Sequence, residues 1–206
     1  MTRRTTILLK TLTWLACLAP LAWIIWGAIT NNLGADQTAA ITFATGKTTL
    51  RLLLLSLAIT PLRRLWARLA WLIKFRRLLG LFAFFYATLH LMTWVALYNA
   101  FDPHAMWADI VKRRYVTAGM TAWVLLLPLA ATSTNWSIRK LGGKNWARLH
   151  RLVYLAAIAG VVHYWWQVKS GVFTPIGVTV ILAVLLIARP ILAWRQRRKS
   201  QSTVAA

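Results

Sequence analysis

Glutamate is absent from this 206-residue chain, and its acidic residues are Asp36, Asp102 and Asp109 alone. Cysteine occurs once, as Cys17. A single thiol excludes a disulfide framework and a cysteine metal cluster. The chain also lacks an internal repeat, a low-complexity tract and a polar stretch long enough to fold as a soluble domain. No FAD- or NADPH-binding domain is therefore expected alongside the rest. The opening "TRRTTILLKTLTWLACLAPLAWIIW" imitates a twin-arginine export signal, but a small-x-small cleavage site is missing and the apolar run continues past Trp26. It is expected to stay as a first span.

What the chain has in abundance is apolar sequence. Hydrophobic residues make up 59% and charged residues 14%, more apolar surface than a water-soluble domain can hide. A bilayer core needs roughly 20 apolar residues in a helix. Six stretches meet that: 12–29, 48–66, 78–98, 115–132, 149–168 and 172–188. The expectation is an all-α integral membrane protein, a single domain over 1–206 folded as a six-helix bundle. Thirteen tryptophans, many near segment ends, suit an aromatic belt at the lipid–water interface.

The net charge of +22 would suggest nucleic acid in a soluble chain. Here the basic residues lie between apolar runs and form no basic face on a polar domain, so nucleic acid is not an expected partner; the surrounding lipid is. Of the 25 Lys and Arg, 19 fall at the N-terminus, in the second–third and fourth–fifth connections, and after the sixth run. The other side holds Lys47, Arg51, Lys112, Arg113, Arg114 and Lys169, with all three aspartates. The positive-inside rule then puts both termini in the cytoplasm, as an even number of spans requires.

Titratable groups inside a bilayer are costly and mark function. Four histidines exist. His104 belongs to the outer connection beside Asp102 and reads as a solvated loop residue. His90 lies 13 residues beyond Arg77, and His163 lies 13 beyond His150. At about 1.5 Å per residue each is some 20 Å from the cytoplasmic edge. Two imidazoles at one depth on separate helices can take a planar ligand from both faces, as haem iron is taken. A zinc site would want three or four protein ligands, and no carboxylate or thiol lies at that level. His90 and His163 are thus the candidate axial ligands of one haem, with a second haem left open. His150 is harder to place: thirteen residues at about 100° leave it roughly 220° around an ideal helix from His163. It is read either as a further haem ligand, sharing His90 or with another partner, or as a contact to a haem propionate or flavin phosphate. The arginines near it, Arg76 and Arg77 among them, suit the same anionic groups or serve topology alone. Two non-redox readings stand beside haem. A small transporter would show buried charges or Gly/Pro-broken helices in repeated halves. A structural anchor subunit would be colourless.

With the histidines in place, a resemblance becomes visible. "FATGKTTLRLLL", "ITPLRR", "FRRLLGLFAFFYATLHL", "ATST" and "WARLHRLVYLAAIAGVVHYWW" resemble the motifs of the MsrQ (formerly YedZ) family, over about residues 12–195. That resemblance implies a member of the ferric reductase-like transmembrane group in a bacterial inner membrane. It implies a haem b electron-transfer subunit rather than the site of sulfoxide reduction. The implied partner is MsrP, a periplasmic molybdopterin enzyme that repairs methionine sulfoxide in envelope proteins. The implied donor is the quinone pool or a cytosolic flavin reductase, and FMN is implied as a further cofactor. His90, His150 and His163 match the family's membrane histidines. Many ferric reductases carry two histidines on each of two helices; the position 13 before His90 is Arg77 here, which favours one haem. The outer connection holding Asp102, His104 and Asp109 is expected to be an ordinary connecting loop, with docking of the periplasmic partner as the alternative. Tyr164, Trp165 and Trp166 are expected to anchor at the interface, with assistance to electron transfer as the weaker alternative.

Overall fold

The computed structural model describes residues 2–168 and 173–204, apart from the side chains of 173, 174, 196, 197 and 199–204. Lys169 and the expected start of the sixth span at Val172 lie outside the described residues, as do the side chains of Arg197 and Lys199. Nine α-helices follow one another among the described residues, with no strand: α1 (Arg3–Ile29), α2 (Gln37–Leu65), α3 (Ile73–Met92), α4 (Pro103–Lys112), α5 (Arg114–Ala131), α6 (Asn135–Leu141), α7 (Gly143–Leu149), α8 (Leu152–Gln167) and α9 (Phe173–Val204).

Each of the six expected stretches falls mainly on one helix, but the ends differ: 78–98 runs from α3 into the turn that follows it, and 149–168 crosses the turn at His150 and Arg151 before α8 begins. α2 starts well before Thr48, because Asp36 caps it: its carboxylate accepts from the Ala39 N–H at 2.9 Å. The Thr-rich first half of α2 dilutes its hydropathy and hides that extra length from composition. Four helical runs are long and apolar enough to cross a membrane: Arg3–Ile29, Ala67–Tyr98, Arg114–Ala131 and Pro175–Arg195. α8 has 16 residues, just short of the roughly 17–25 of a spanning helix. α2 has 29 residues but carries Lys47 and Arg51. Large apolar side chains stay exposed, Ile29 at 73% and Trp107 at 69% among them. Apolar exposure on this scale is a lipid- or partner-facing surface.

Two antiparallel helix pairs carry the packing. α2 lies along α3, and α5 along α8; α9 packs on α2 and α8, and α1 on α2 and α3. The core between them is built from Leu52, Leu53, Leu57, Phe82, Ala83, Ala87, Leu126, Ala156, Ala157 and Val161. Ala83, Ala156 and Ala157 are essentially inaccessible, and small residues at such points let backbones approach closely.

Tyr86, fully buried, ties α3 to α1. Its hydroxyl donates to the Cys17 carbonyl at 2.7 Å and accepts from the Leu21 N–H at 3.0 Å. Residues 17 and 21 would bond each other in an unbroken helix. Pro20 stands between them and loosens that turn, so the phenol enters the ladder.

At its far end α3 widens into a π turn over Thr93–Tyr98, where the Asn99 N–H reaches the Trp94 carbonyl at 3.2 Å. Ala100 and Phe101 follow at φ 46° and 61°, a left-handed pair that turns the chain sharply. Asp102 then caps α4 by accepting from the His104 N–H at 2.8 Å. The connection expected as a loop is thus a short helix.

Candidate functional site

His90 projects from α3 onto α2. Its Nδ1 lies 2.9 Å from the Thr42 carbonyl and 3.3 Å from the Thr45 hydroxyl. A carbonyl only accepts, so Nδ1 carries the proton and donates; in a singly protonated ring Nε2 is left bare. The ring lies over Gly46, where an added Cβ would stand 3.0 Å from Cε1 and 3.1 Å from Nδ1. Only glycine leaves that space.

His163 repeats the arrangement on the other pair. From α8 its Nδ1 donates to the Tyr115 carbonyl on α5 at 2.6 Å. Its ring covers Gly119, where a Cβ would stand 2.8 Å from Nδ1 and 3.0 Å from Cε1. In both pairs the acceptor precedes the glycine by four residues, one turn. A helix carbonyl points along the axis toward residue i+4 and keeps a second lone pair after its own helix bond. Removing the side chain at i+4 opens that lone pair to an imidazole from the neighbouring helix.

The two rings face each other across the gap between the pairs. Their centres are 5.8 Å apart and their planes 81° apart. A cavity of about 250 Å³ surrounds them, lined by residues within 42–53 of α2, 87–98 of α3 with its π turn, 115–126 of α5 and 156–167 of α8. At about 1.5 Å per residue, stretches of that length run roughly 17 Å. The lining is mostly apolar, including Leu53, Leu91 and Leu126, with Lys47 and Arg113 as its permanently charged side chains. Tyr164 is buried and lines the cavity; Trp165 instead donates to the Thr179 hydroxyl at 2.8 Å.

The mouth nearest α4 is held by a small polar network. Arg113 pairs with Asp109 at 3.2 Å and donates to the Tyr115 hydroxyl at 3.2 Å. Asp109 also accepts from the Trp94 indole N–H at 3.3 Å. One carboxylate therefore joins α4 to the residue that tethers His163 and to the π turn beyond His90. Asp109 is committed to that network rather than free on the outer connection. His104 is exposed at the start of α4, outside the cavity.

His150 is not brought to the other two. It ends α7, in the turn before α8, so the count of helical residues from His163 does not apply to it. Its Nε2 lies 3.1 Å from the Thr132 hydroxyl, and its ring stacks on Trp146 at 3.8 Å. It is absent from the cavity lining. Arg76 and Arg77 diverge. Arg77 donates to the Asn135 side-chain oxygen at 2.7 Å, whereas Arg76 turns into a separate basic cleft. Among the described residues no group of three or more His, Cys, Asp or Glu is placed to hold a metal ion. The donor set is two imidazoles and suits a metal that brings its remaining ligands with it.

Sequence reasoning missed Thr42, Gly46, Tyr115 and Gly119. The only trace is a glycine within "FATGK" and another within "YVTAG", meaningful once the pairing of helices is known.

Comparison with known proteins accords with this geometry. The model of a family described as ferric reductase like transmembrane component matches residues 45–161. The chain is 47% identical to the protein-methionine-sulfoxide reductase heme-binding subunit MsrQ of Herminiimonas arsenicoxydans, over 95% of this chain and 90% of that one. It is 48% identical to the MsrQ subunit of Rhodospirillum rubrum over 91% and 89%, and 43% identical to that of Caulobacter vibrioides over 93% and 90%. No solved structure matches it. With four apolar helices of spanning length and relatives matched over nearly their whole length, the chain is a membrane protein of the MsrQ family, within the ferric reductase like transmembrane group.

Proposed function

We propose that this chain is the haem b electron-transfer subunit of a methionine sulfoxide reductase system, holding one haem between His90 and His163. The observation that carries this is the pair of facing imidazoles, each pinned through Nδ1 to a backbone carbonyl with Nε2 free. A metal–imidazole bond is about 2 Å, so two imidazoles that would share one ion need ring centres roughly 6 Å apart. The 5.8 Å separation fits that spacing. When bound, the iron supplies one-electron redox chemistry.

The protein's part is placement. The Thr42 and Tyr115 carbonyls fix the tautomer and plane of each ring, the outer-shell control that raises ligand basicity. His90 and His163 would hold the iron, and ligation by two imidazoles favours electron transfer over oxygen activation. The apolar walls on α2, α3, α5 and α8 exclude water.

In this reading all six long helices cross the bacterial inner membrane with both termini cytoplasmic, and the α4 end faces the periplasm. His163 lies one turn from the end of α8, and His90 two turns from the end of the π turn. Electrons then leave over a short distance to the periplasmic molybdopterin reductase MsrP, with the quinone pool as donor. FMN enters as a further cofactor from the family alone. The helix pairs fit this reading better than a transporter, because among the described residues no broken helix or buried ion pair lies between α2 with α3 and α5 with α8.

The absorption spectrum of the purified full chain tests the proposal. A Soret band with sharp reduced α and β bands is expected, and His90→Ala and His163→Ala should each abolish the low-spin form. Colourless protein from haem-supplied cells, correctly folded, would refute it and leave the anchor reading.

A further inference from the structure

Away from α4 lies a basic cleft that the histidine site does not use. Five arginines line it: Arg63 and Arg64 near the end of α2, Arg76 at the start of α3, Arg151 just before α8, and Arg189 on α9. No acidic residue lines it. Asp36 caps the opposite end of α2, and Asp102 and Asp109 belong to α4. Like charges gathered without a counter-charge repel one another.

Arginines that serve topology alone extend into water. Arg189 instead turns inward. One of its terminal nitrogens donates to the Tyr154 hydroxyl at 2.5 Å and the other to the Leu57 carbonyl at 2.6 Å. Arg64 donates to the Arg189 carbonyl at 3.0 Å. The guanidinium is thus fixed, yet its Nε–H is buried with no partner. The Thr60 hydroxyl, on the wall of the same cleft, is buried and unpartnered as well. Among the described residues these are the two buried side-chain polar atoms left so, and one cleft holds both. A buried unpaired polar group calls for an explanation. Two spare donors beside uncompensated guanidiniums describe a place for an anion with several acceptor oxygens, and guanidinium forks match phosphate oxygens in particular.

We propose that this cleft binds one phosphate ester, Arg189 Nε–H and Thr60 Oγ1–H donating to its oxygens and Arg63, Arg64, Arg76 and Arg151 balancing its charge. The ester can come from an anionic phospholipid headgroup or from a phosphorylated soluble cofactor such as FMN; the recognising chemistry is shared. The inference does not rest on the haem reading.

The test uses the full chain, purified in phosphate-free buffer and a sugar-headgroup detergent, then examined by native mass spectrometry. About one phosphate-bearing molecule per chain is expected to survive purification. Its mass identifies a phospholipid, and flavin fluorescence identifies FMN. Arg63→Gln with Arg151→Gln changes two exposed side chains and is expected to lower retention at least about tenfold with unfolding temperature unchanged. Thr60→Val keeps the shape, removes one spare donor and is expected to lower retention several-fold. A folded wild-type chain that carries no such molecule, and takes up neither phosphatidylglycerol from nanodiscs nor FMN from solution, overturns the proposal. Retention by the double variant equal to wild type also overturns it. The haem spectrum of the same samples reports the histidine site separately.

Discussion

Replacing Gly119 by alanine puts one carbon where the His163 ring now lies. That carbon would stand 2.8 Å from Nδ1 and 3.0 Å from Cε1, where ordinary carbon contacts begin near 3.5 Å. The overlap is about half an ångström or more. α5 is a regular helix there, so the imidazole has to give. Moving it off α5 stretches the 2.6 Å bond to the Tyr115 carbonyl and displaces Nε2. Disturbing a group that orients a metal ligand costs about 10–100-fold in affinity, or roughly 1.4–2.7 kcal/mol. The fold itself should suffer less, because alanine is favoured over glycine in a helix interior by about 0.8–1 kcal/mol. Haem content and global stability should therefore separate. Gly46→Ala is the milder case, its carbon meeting the His90 ring at 3.0 and 3.1 Å. Gly177→Ala meets nothing within 4 Å and serves as the control. The assay is haem per chain by the pyridine haemochrome method, with thermal unfolding in detergent alongside. The expected order of haem loss is Gly119→Ala, then Gly46→Ala, with Gly177→Ala unchanged. Wild-type haem content and spectrum in Gly119→Ala would refute the cradle argument.

Other consequences can be checked with single variants. Tyr86→Phe removes the hydroxyl between the Cys17 carbonyl and the Leu21 N–H, and should cost about 1–3 kcal/mol in unfolding experiments; an unchanged unfolding midpoint would show that α1 closes its own bond past Pro20. Asp109→Asn breaks an ion pair whose arginine is 53% exposed, so stability should fall by less than about 1 kcal/mol, while Trp94 fluorescence shifts as its indole loses a charged acceptor. His150→Ala should leave the low-spin haem spectrum in place, since the His150 ring bonds Thr132 and stacks on Trp146; loss of that spectrum would make His150 a ligand. Were haem held by His90 and His163, the 81° between their planes would keep the iron's π-type orbitals nearly equal in energy, so the ferric protein should give a strongly anisotropic low-spin EPR signal rather than the compact pattern of parallel ligands.

The pairing of His90 with His163 was legible in the sequence, and the helix that holds each ring was not. Equal spacings of 13 residues from Arg77 to His90 and from His150 to His163 led to the expectation of two imidazoles at one level, and in the fold the ring centres lie 5.8 Å apart. The same counting misjudged His150, because it treated as one helix a stretch that breaks at the turn before Leu152. Apolar run length located α1, α3, α5 and α9, but it shortened α2, whose threonines and Asp36 cap support a helix that hydropathy alone does not mark. Arg63, Arg64, Arg151 and Arg189 read as markers of orientation, since no linear pattern tells that the end of α2, the start of α3 and the middle of α9 lie beside one another. Glycines pose the same difficulty: Gly46 and Gly119 matter through the helix next door, which only the fold supplies.

The site's economy lies in how the two tethers are divided. His90 hangs from α3 and is held by α2; His163 hangs from α8 and is held by α5. Each imidazole is thus oriented entirely within its own helix pair, and those are the pairs that pack most closely. The distance between the rings depends on how the pairs sit against each other, through α3 with α5 and α2 with α8. Orientation and separation are therefore governed by different contacts. A substitution inside a pair, at Gly46 or Gly119, should tilt a ring and alter ligand-field signatures. One between the pairs, such as Ala156 or Leu126 on the cavity wall, should alter how readily both nitrogens reach one ion while leaving each ring's tautomer as it is. Vibrational spectra of the imidazole N–H should move with the first class and stay fixed with the second. If both classes moved them alike, the helix pairs would not be the units that build the site.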